Sequence, residues 1–237
     1  MAKKIIAIIP ARSGSKGIRH KNILRLNNKT LLEIAVLQAK KVNAIEDILI
    51  SSDSEEYCTI AKKAGCNCLG LRPTSLSGDK IKTIEVLKDI IKSIPEVETI
   101  LLLQPTSPVR STLEINEALK ICIKQKKCVI SVALLEEPNP YKLQKLSNEN
   151  ILSPFIKDNS YNSEIPRQLL PSVYRLTGGF YCLNVRKILE CDSVIPPNSI
   201  GYPTKMYPNI DTQDDYDYIR FLINSKINLP KDFLEII

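Results

Sequence analysis

Strand-like and helix-like segments alternate along this chain, which predicts an α/β protein built on a mostly parallel sheet with helices on both faces. Two observations carry the prediction. The strand candidates are short, continuous apolar runs, as expected of strands buried on both faces. Helical stripes separate them, so successive strands are joined by crossovers.

Ile5–Ile9 is the first strand, stopped by Pro10, which has no amide proton to give a ladder. Leu31–Val42 carries Leu31, Leu32, Ile34, Ala35, Leu37 and Ala39 as a helical stripe. Ile48–Ser51 is the second strand, and Glu55–Ala64 a helix closed by Gly65. Cys66–Leu71 reads as a short third strand. Thr83–Ile94 is helical up to Pro95. Thr99–Leu103, Leu113–Lys124 and Cys128–Leu134 complete a further strand, helix and strand. Residues 138–176 are rich in Pro, Asn, Ser and Tyr, which predicts an inserted arm rather than another strand–helix unit. Gly178–Asn184 is again a strand. A helix follows from Thr212 to Ile223, with Thr212 as N-cap and Asp214 and Asp215 in its first turn. Residues 224–237 are expected to dock as a tail. One domain is expected over 1–237, with the arm at about 138–176.

The 237 residues are 43% hydrophobic and 25% charged, enough for one large core. No apolar run reaches the ~18 residues of a membrane span, and the opening lacks the long apolar segment of a secretion signal. A cytoplasmic protein with no membrane association is expected. Seven cysteines, with no Cys-x-x-Cys and a single histidine, argue for reduced core thiols and against zinc. The net charge of +7 fits an anionic ligand, whereas sparse aromatics and no tryptophan argue against nucleic acid.

The most informative stretch is 8–22. After the first strand comes a loop with Gly14, Gly17, Ser13 and Ser15, and with Arg12, Lys16, Arg19 and Lys21. Glycines free backbone N–H groups to face a ligand, and such a nest among cations suits a polyphosphate. It is neither a Walker A loop nor a Gly-x-Gly-x-x-Gly turn. His20 is read as a polar loop residue rather than a base. The loops after the first, second and Thr99–Leu103 strands converge on one sheet edge, where open α/β sheets bind ligands.

Ile9-Pro10-Ala11-Arg12-Ser13-Gly14-Ser15-Lys16-Gly17 with Lys21-Asn22 resembles the nucleotide signature of sugar cytidylyltransferases. So do Ser51–Ser54, Leu71-Arg72-Pro73, Leu102–Arg110, Arg167-Gln168 and Asn209-Ile210-Asp211. The chain is most similar to the CMP-N-acylneuraminate (CMP-sialic acid) synthetase family, which includes enzymes for legionaminic and pseudaminic acids. The resemblance implies a Rossmann-like, nucleotide-diphosphosugar transferase-like fold. It also implies that CTP and a nine-carbon 3-deoxy-nonulosonic acid yield the CMP-sugar and pyrophosphate, with Mg²⁺ balancing charge on the triphosphate.

On this resemblance Lys21, Arg12 and Asp211 carry catalysis. Ala11, Arg12, Ser13, Gly14, Ser15, Lys16, Gly17, Lys21, Asn22 and Arg72 hold CTP. Arg72 is alternatively a strand-end cation paired with Asp79. Gln104, Arg167, Gln168, Tyr174 and Arg175 face the sugar, and a guanidinium fork suits its carboxylate. Arg110 has a structural alternative. Asp211 and Asn209 would serve the metal, although the family usually has Asp-x-Asp there. Alternate residues of an extended segment face the same side, so the spacing is kept while one carboxylate is lost. Asp53 is a second metal candidate, or else the N-cap of the following helix. Thr177-Gly178-Gly179 also departs from the family's Asn-Gly, and both departures suggest a substrate other than N-acetylneuraminic acid. The arm resembles a homodimerisation element. The alternatives are a Kdo cytidylyltransferase or a catalytically weak nucleotide-binding relative.

Overall fold

A computed structural model describes residues 4–15, 17–158 and 160–237. In chain order the strands are β1 (Lys4–Pro10), β2 (Arg25–Leu26), β3 (Lys29–Thr30), β4 (Asp47–Ser51), β5 (Asn67–Cys68), β6 (Val97–Leu102), β7 (Val129–Leu134), β8 (Gln144–Leu146), β9 (Leu152–Pro154), β10 (Tyr174–Asn184) and β11 (Ile200–Pro203). The helices are α1 (Leu31–Lys40), α2 (Glu55–Ala64), α3 (Thr83–Ser93), α4 (Thr112–Gln125), α5 (Val185–Cys191), α6 (Gln213–Ser225) and α7 (Lys231–Leu234).

Seven strands form the main sheet in the order β11-β7-β10-β6-β1-β4-β5. β1 pairs in parallel with β4 and β6, and β11 in parallel with β7. β10 alone runs antiparallel to its neighbours, β6 and β7. Its register shifts between Leu176 and Tyr181, where Gly178 takes φ 70°, a conformation that strains any side-chain-bearing residue.

Helix ends follow their sequence signals. Thr30 and Glu33 form a reciprocal capping box at α1, Gly65 closes α2 at φ 91°, and Thr212 caps α6. One sheet face packs Ala7, Ile9 and Leu101 against α1, α2 and α4; the other packs Ile6, Ile8 and Ile100 against α3 and α5. A third cluster joins α1, α6 and the tail through Ile34, Ile219 and Phe233. The tail is docked as expected: the Asp232 carboxylate caps α4, accepting from the N–H groups of Thr112 at 2.5 Å and Leu113 at 3.3 Å.

Several expectations need correction. The third strand shrinks from 66–71 to Asn67–Cys68, because only two of its residues pair with β4. The short α5 and β11 lie in a stretch to which the sequence reading assigns no element. The expected arm holds a small hairpin, β8 with β9, that presents Leu146, Ile151, Leu152 and Phe155 to solvent. Among the described residues no helix is long and apolar enough to cross a membrane.

Candidate active site

The carboxyl ends of β1, β4 and β6 meet at one edge, stitched together by backbone bonds. The Ala11 N–H donates to the Ser51 carbonyl at 2.9 Å, the Arg72 N–H to Ser52 at 2.7 Å, and the Leu103 N–H to Ile8 at 3.0 Å. A cavity of about 600 Å³ opens there. Arg12, Ser15, Gly17, Lys21, Asn22, Arg72, Gln104 and Asp211 all line it, so eight of the residues picked out by sequence converge on one cleft.

Each is held by a specific contact. Arg12 Nη1 pairs with Asp79 at 2.7 Å, and Lys21 Nζ with Asp211 Oδ1 at 2.7 Å. The Lys21 side chain is 15% exposed and that of Asp211 68%, so the lysine stem is anchored while the carboxylate stays open to the cleft. Buried Asn22 donates from Nδ2 to the Arg12 carbonyl at 2.9 Å, fixing the loop rather than pointing outward. Ala11 is fully buried and contributes backbone. Gly17 is required by a close approach: a Cβ there would lie 2.4 Å from the Asp211 carbonyl oxygen. Gly14 has open space around it. Lys16 lies outside the described residues.

Asp53 takes a role the sequence did not suggest. Ser54, not Asp53, caps α2. The Asp53 carboxylate instead accepts the Ser13 backbone N–H at 2.7 Å and the Ser13 hydroxyl at 3.1 Å, pinning the basic loop to the end of β4. Arg72 lays its guanidinium on Ser51, through Nε to the hydroxyl at 3.0 Å and Nη2 to the carbonyl. Burial lowers its pKa from the ordinary value, nearby Asp53 opposes that, and Arg12 adds to it. Asp79, the expected partner of Arg72, pairs with Arg12. The segment 76–86 supplies a wall of the cleft through Leu76, Asp79, Ile81 and Val86, none of which a sequence signal marked as binding residues.

A second groove of about 420 Å³ adjoins the first, and Asp211 lines both. Arg175, Asn209, Asp215 and Tyr218 line this neighbour. Asn209 Oδ1 accepts from the Ser107 hydroxyl at 2.7 Å. Asp215 is committed to Thr212 and the Asp211 N–H; burial raises its pKa, but these hydrogen bonds outweigh it and leave a net lowering. Arg167 sits in the arm, 3.2 Å from Glu137, with Gln168 beside it in the same short turn. Tyr174 opens β10, exposed to solvent. Arg167, Gln168 and Tyr174 therefore lie outside both grooves of this chain.

Among the described residues no group of three or more His, Cys, Asp or Glu could hold a metal ion. The cleft offers two carboxylates, Asp79 paired with Arg12 and the more open Asp211 paired with Lys21. That fits Mg²⁺ in its usual form, bound by one carboxylate, phosphate oxygens and waters rather than by a protein cage.

This fold and cleft define a nucleotidyltransferase, with a cationic glycine loop at the carboxyl edge of the sheet. The chain belongs to the cytidylyltransferase family, whose model matches residues 6–148. It is 34% identical over 235 residues to the N-acylneuraminate cytidylyltransferase of Escherichia coli O18:K1:H7, covering 98% of this chain and 54% of that protein. The chain thus spans about half the length of that relative. It is 28% identical over 238 residues to the CMP-N,N'-diacetyllegionaminic acid synthase of Campylobacter jejuni, covering 97% of this chain and 99% of that one. In fold it resembles a CMP:2-keto-3-deoxy-manno-octonic acid synthetase solved with CTP, at TM-score 0.70 and 15% identity, covering 95% of this chain and 100% of that one.

Proposed function

We propose that this chain activates a nine-carbon 3-deoxy-nonulosonic acid with CTP, giving the CMP-sugar and pyrophosphate. The observation that carries this is the convergence of Arg12, Lys21, Gln104 and Asp211 in one cleft, with a second, Arg175-lined groove joined to it at Asp211. The first cleft suits the nucleotide and the second suits an acidic sugar.

In this reading the sugar's anomeric hydroxyl attacks the α-phosphorus of CTP. A new P–O bond forms, the α–β bridging P–O bond breaks, and the hydroxyl proton passes to solvent as pyrophosphate leaves. Phosphoryl transfers of this kind ask mainly for positioning and charge stabilisation. Arg12 and Lys21 take the triphosphate charge, and the glycine loop adds backbone N–H donors at Gly14 and Gly17, since those of Ser13 and Ser15 are engaged within the loop. The Gln104 amide both donates and accepts, which suits sugar hydroxyls. Arg175 offers a guanidinium to the sugar carboxylate. Asp211 would hold Mg²⁺, which supplies charge neutralisation on the phosphates when bound; Asn209 stands beside it as a neutral neighbour.

The reading extends to a homodimer, because the arm exposes an apolar strip that a second copy would cover. Arg167, Gln168 and Tyr174 would then serve the partner's groove rather than their own. The cytoplasm, where CTP is made and used, is the matching compartment.

The test is pyrophosphate release from CTP and Mg²⁺ with N-acetylneuraminic, legionaminic, pseudaminic and Kdo acids in parallel. Turnover with a nine-carbon acid and not Kdo is expected. Turnover with Kdo alone, or none with any acid despite measurable CTP binding, overturns the reading.

A further inference from the structure

Arg110, at the end of the loop that begins with Gln104, is 3% exposed. Its Nη2 donates to the Gln104 carbonyl at 2.7 Å. Its Nε and Nη1 are buried with no hydrogen-bond partner. Among the described residues no carboxylate forms an ion pair with it. Burial alone pulls its pKa down to about 9, so at neutral pH the group is still a cation.

A narrow pocket of about 20 Å³ borders this side chain. Its wall includes a second cation, Lys205, one acid, Glu114, and the neutral amide of Asn209. The hydroxyls of Ser131 and Thr177, also on the wall, are engaged with each other and with backbone, which leaves them little to offer Arg110. Buried donors are normally satisfied and buried charges normally paired, so both requirements are open at one atom group. A water molecule would meet the first and not the second. The space beside the guanidinium is large enough for a water-sized or somewhat larger particle.

We propose that this chamber binds one monovalent inorganic anion, chloride under ordinary conditions, held by Nε and Nη1 of Arg110. The ion compensates the buried guanidinium and so steadies the turn whose first carbonyl Arg110 holds. Through Gln104 that turn reaches the cleft, and this last link alone rests on the function proposed above.

The test uses the wild-type protein crystallised in sodium bromide, with anomalous data collected at the bromine edge. One peak within hydrogen-bonding distance of Arg110 Nε and Nη1 is expected; no anomalous peak there overturns the proposal. A second measurement compares melting temperatures in chloride and gluconate at equal ionic strength, in metal-free buffer. At tenfold excess over its dissociation constant, chloride should raise the midpoint by about 4 °C. Asn209→Asp places a carboxylate on the chamber wall and should abolish that difference. A chloride response undiminished in Asn209→Asp overturns charge compensation as its cause. Neither readout involves turnover, so failure here is distinct from failure of the proposed reaction.

Discussion

Replacing Asp53 with Ala tests whether the basic loop is pinned before its ligand arrives. The substitution removes two hydrogen bonds to Ser13, one to its backbone N–H at 2.7 Å and one to its hydroxyl at 3.1 Å. Bonds to an ionised acceptor contribute about 1.5–3 kcal/mol each when well buried. These groups are only part-buried, so about 2–3 kcal/mol for the pair is the appropriate sum. Expressed wholly as loop order, that corresponds to roughly 100-fold in CTP affinity. Calorimetric titration with CTP, alongside urea unfolding, reads both parts of the effect. Asp53→Ala should bind CTP some ~30–100-fold more weakly, and Asp53→Asn, which keeps one acceptor for the N–H, should recover part of the loss. CTP affinity within about twofold of wild type would refute the pinning role. Lost turnover with unchanged CTP affinity would make Asp53 a metal ligand instead.

Asp211→Ala should lower kcat by about 10²–10³-fold while the melting temperature holds, because α6 keeps its Thr212–Asp215 cap. Activity within a few-fold of wild type would remove Asp211 from the mechanism. Lys21→Ala should raise KM for CTP by roughly 10–100-fold and leave KM for the sugar nearly unchanged; equal losses in steady-state kinetics would mean that the loop is no triphosphate cradle. Asp232 gives a pH signature. Burial raises its pKa, but bonds from Thr112, Leu113 and Ser111 outweigh that and leave a net lowering. A carboxyl depressed in the folded state stabilises above its unfolded pKa of about 4 and loses that stabilisation as pH falls through the lower folded value. Thermal melts from pH 6 to 2 should therefore show a steeper acid-side decline in the wild type than in Asp232→Asn.

The binding edge was legible because its signals are local. Pro10 ends a strand, Gly14 and Gly17 loosen the loop after it, and Pro105 stiffens the turn after Gln104. Strand direction was not legible in β10, since an apolar run reads alike in both senses. β11 hid because Ile-Gly-Tyr-Pro carries two residues that usually break strands. Pairings across the fold escaped for a different reason. Ser13 and Asp53 lie 40 residues apart, and no periodicity links an acid after one strand to a serine after another. Arg12 with Asp79 is the same case, and the wall formed by 76–86 follows from it. Arg110 shows the converse: its charge predicts a surface, and only the packed loop reveals that it is enclosed.

The cleft holds its two principal cations already occupied, Arg12 by Asp79 and Lys21 by Asp211. An incoming anion therefore competes at each cation with a tethered carboxylate that is always at hand. On the proposed reading, a monophosphate or sulfate would engage one cation and compete with an acid fixed beside it, whereas a triphosphate would meet both pairs, so the resident acids would favour the longer anion. The same acids work in reverse at the end of the cycle. On that reading each acid would rejoin its cation as the bond to the nucleotide breaks, and departure of pyrophosphate would be assisted by groups that never leave the protein.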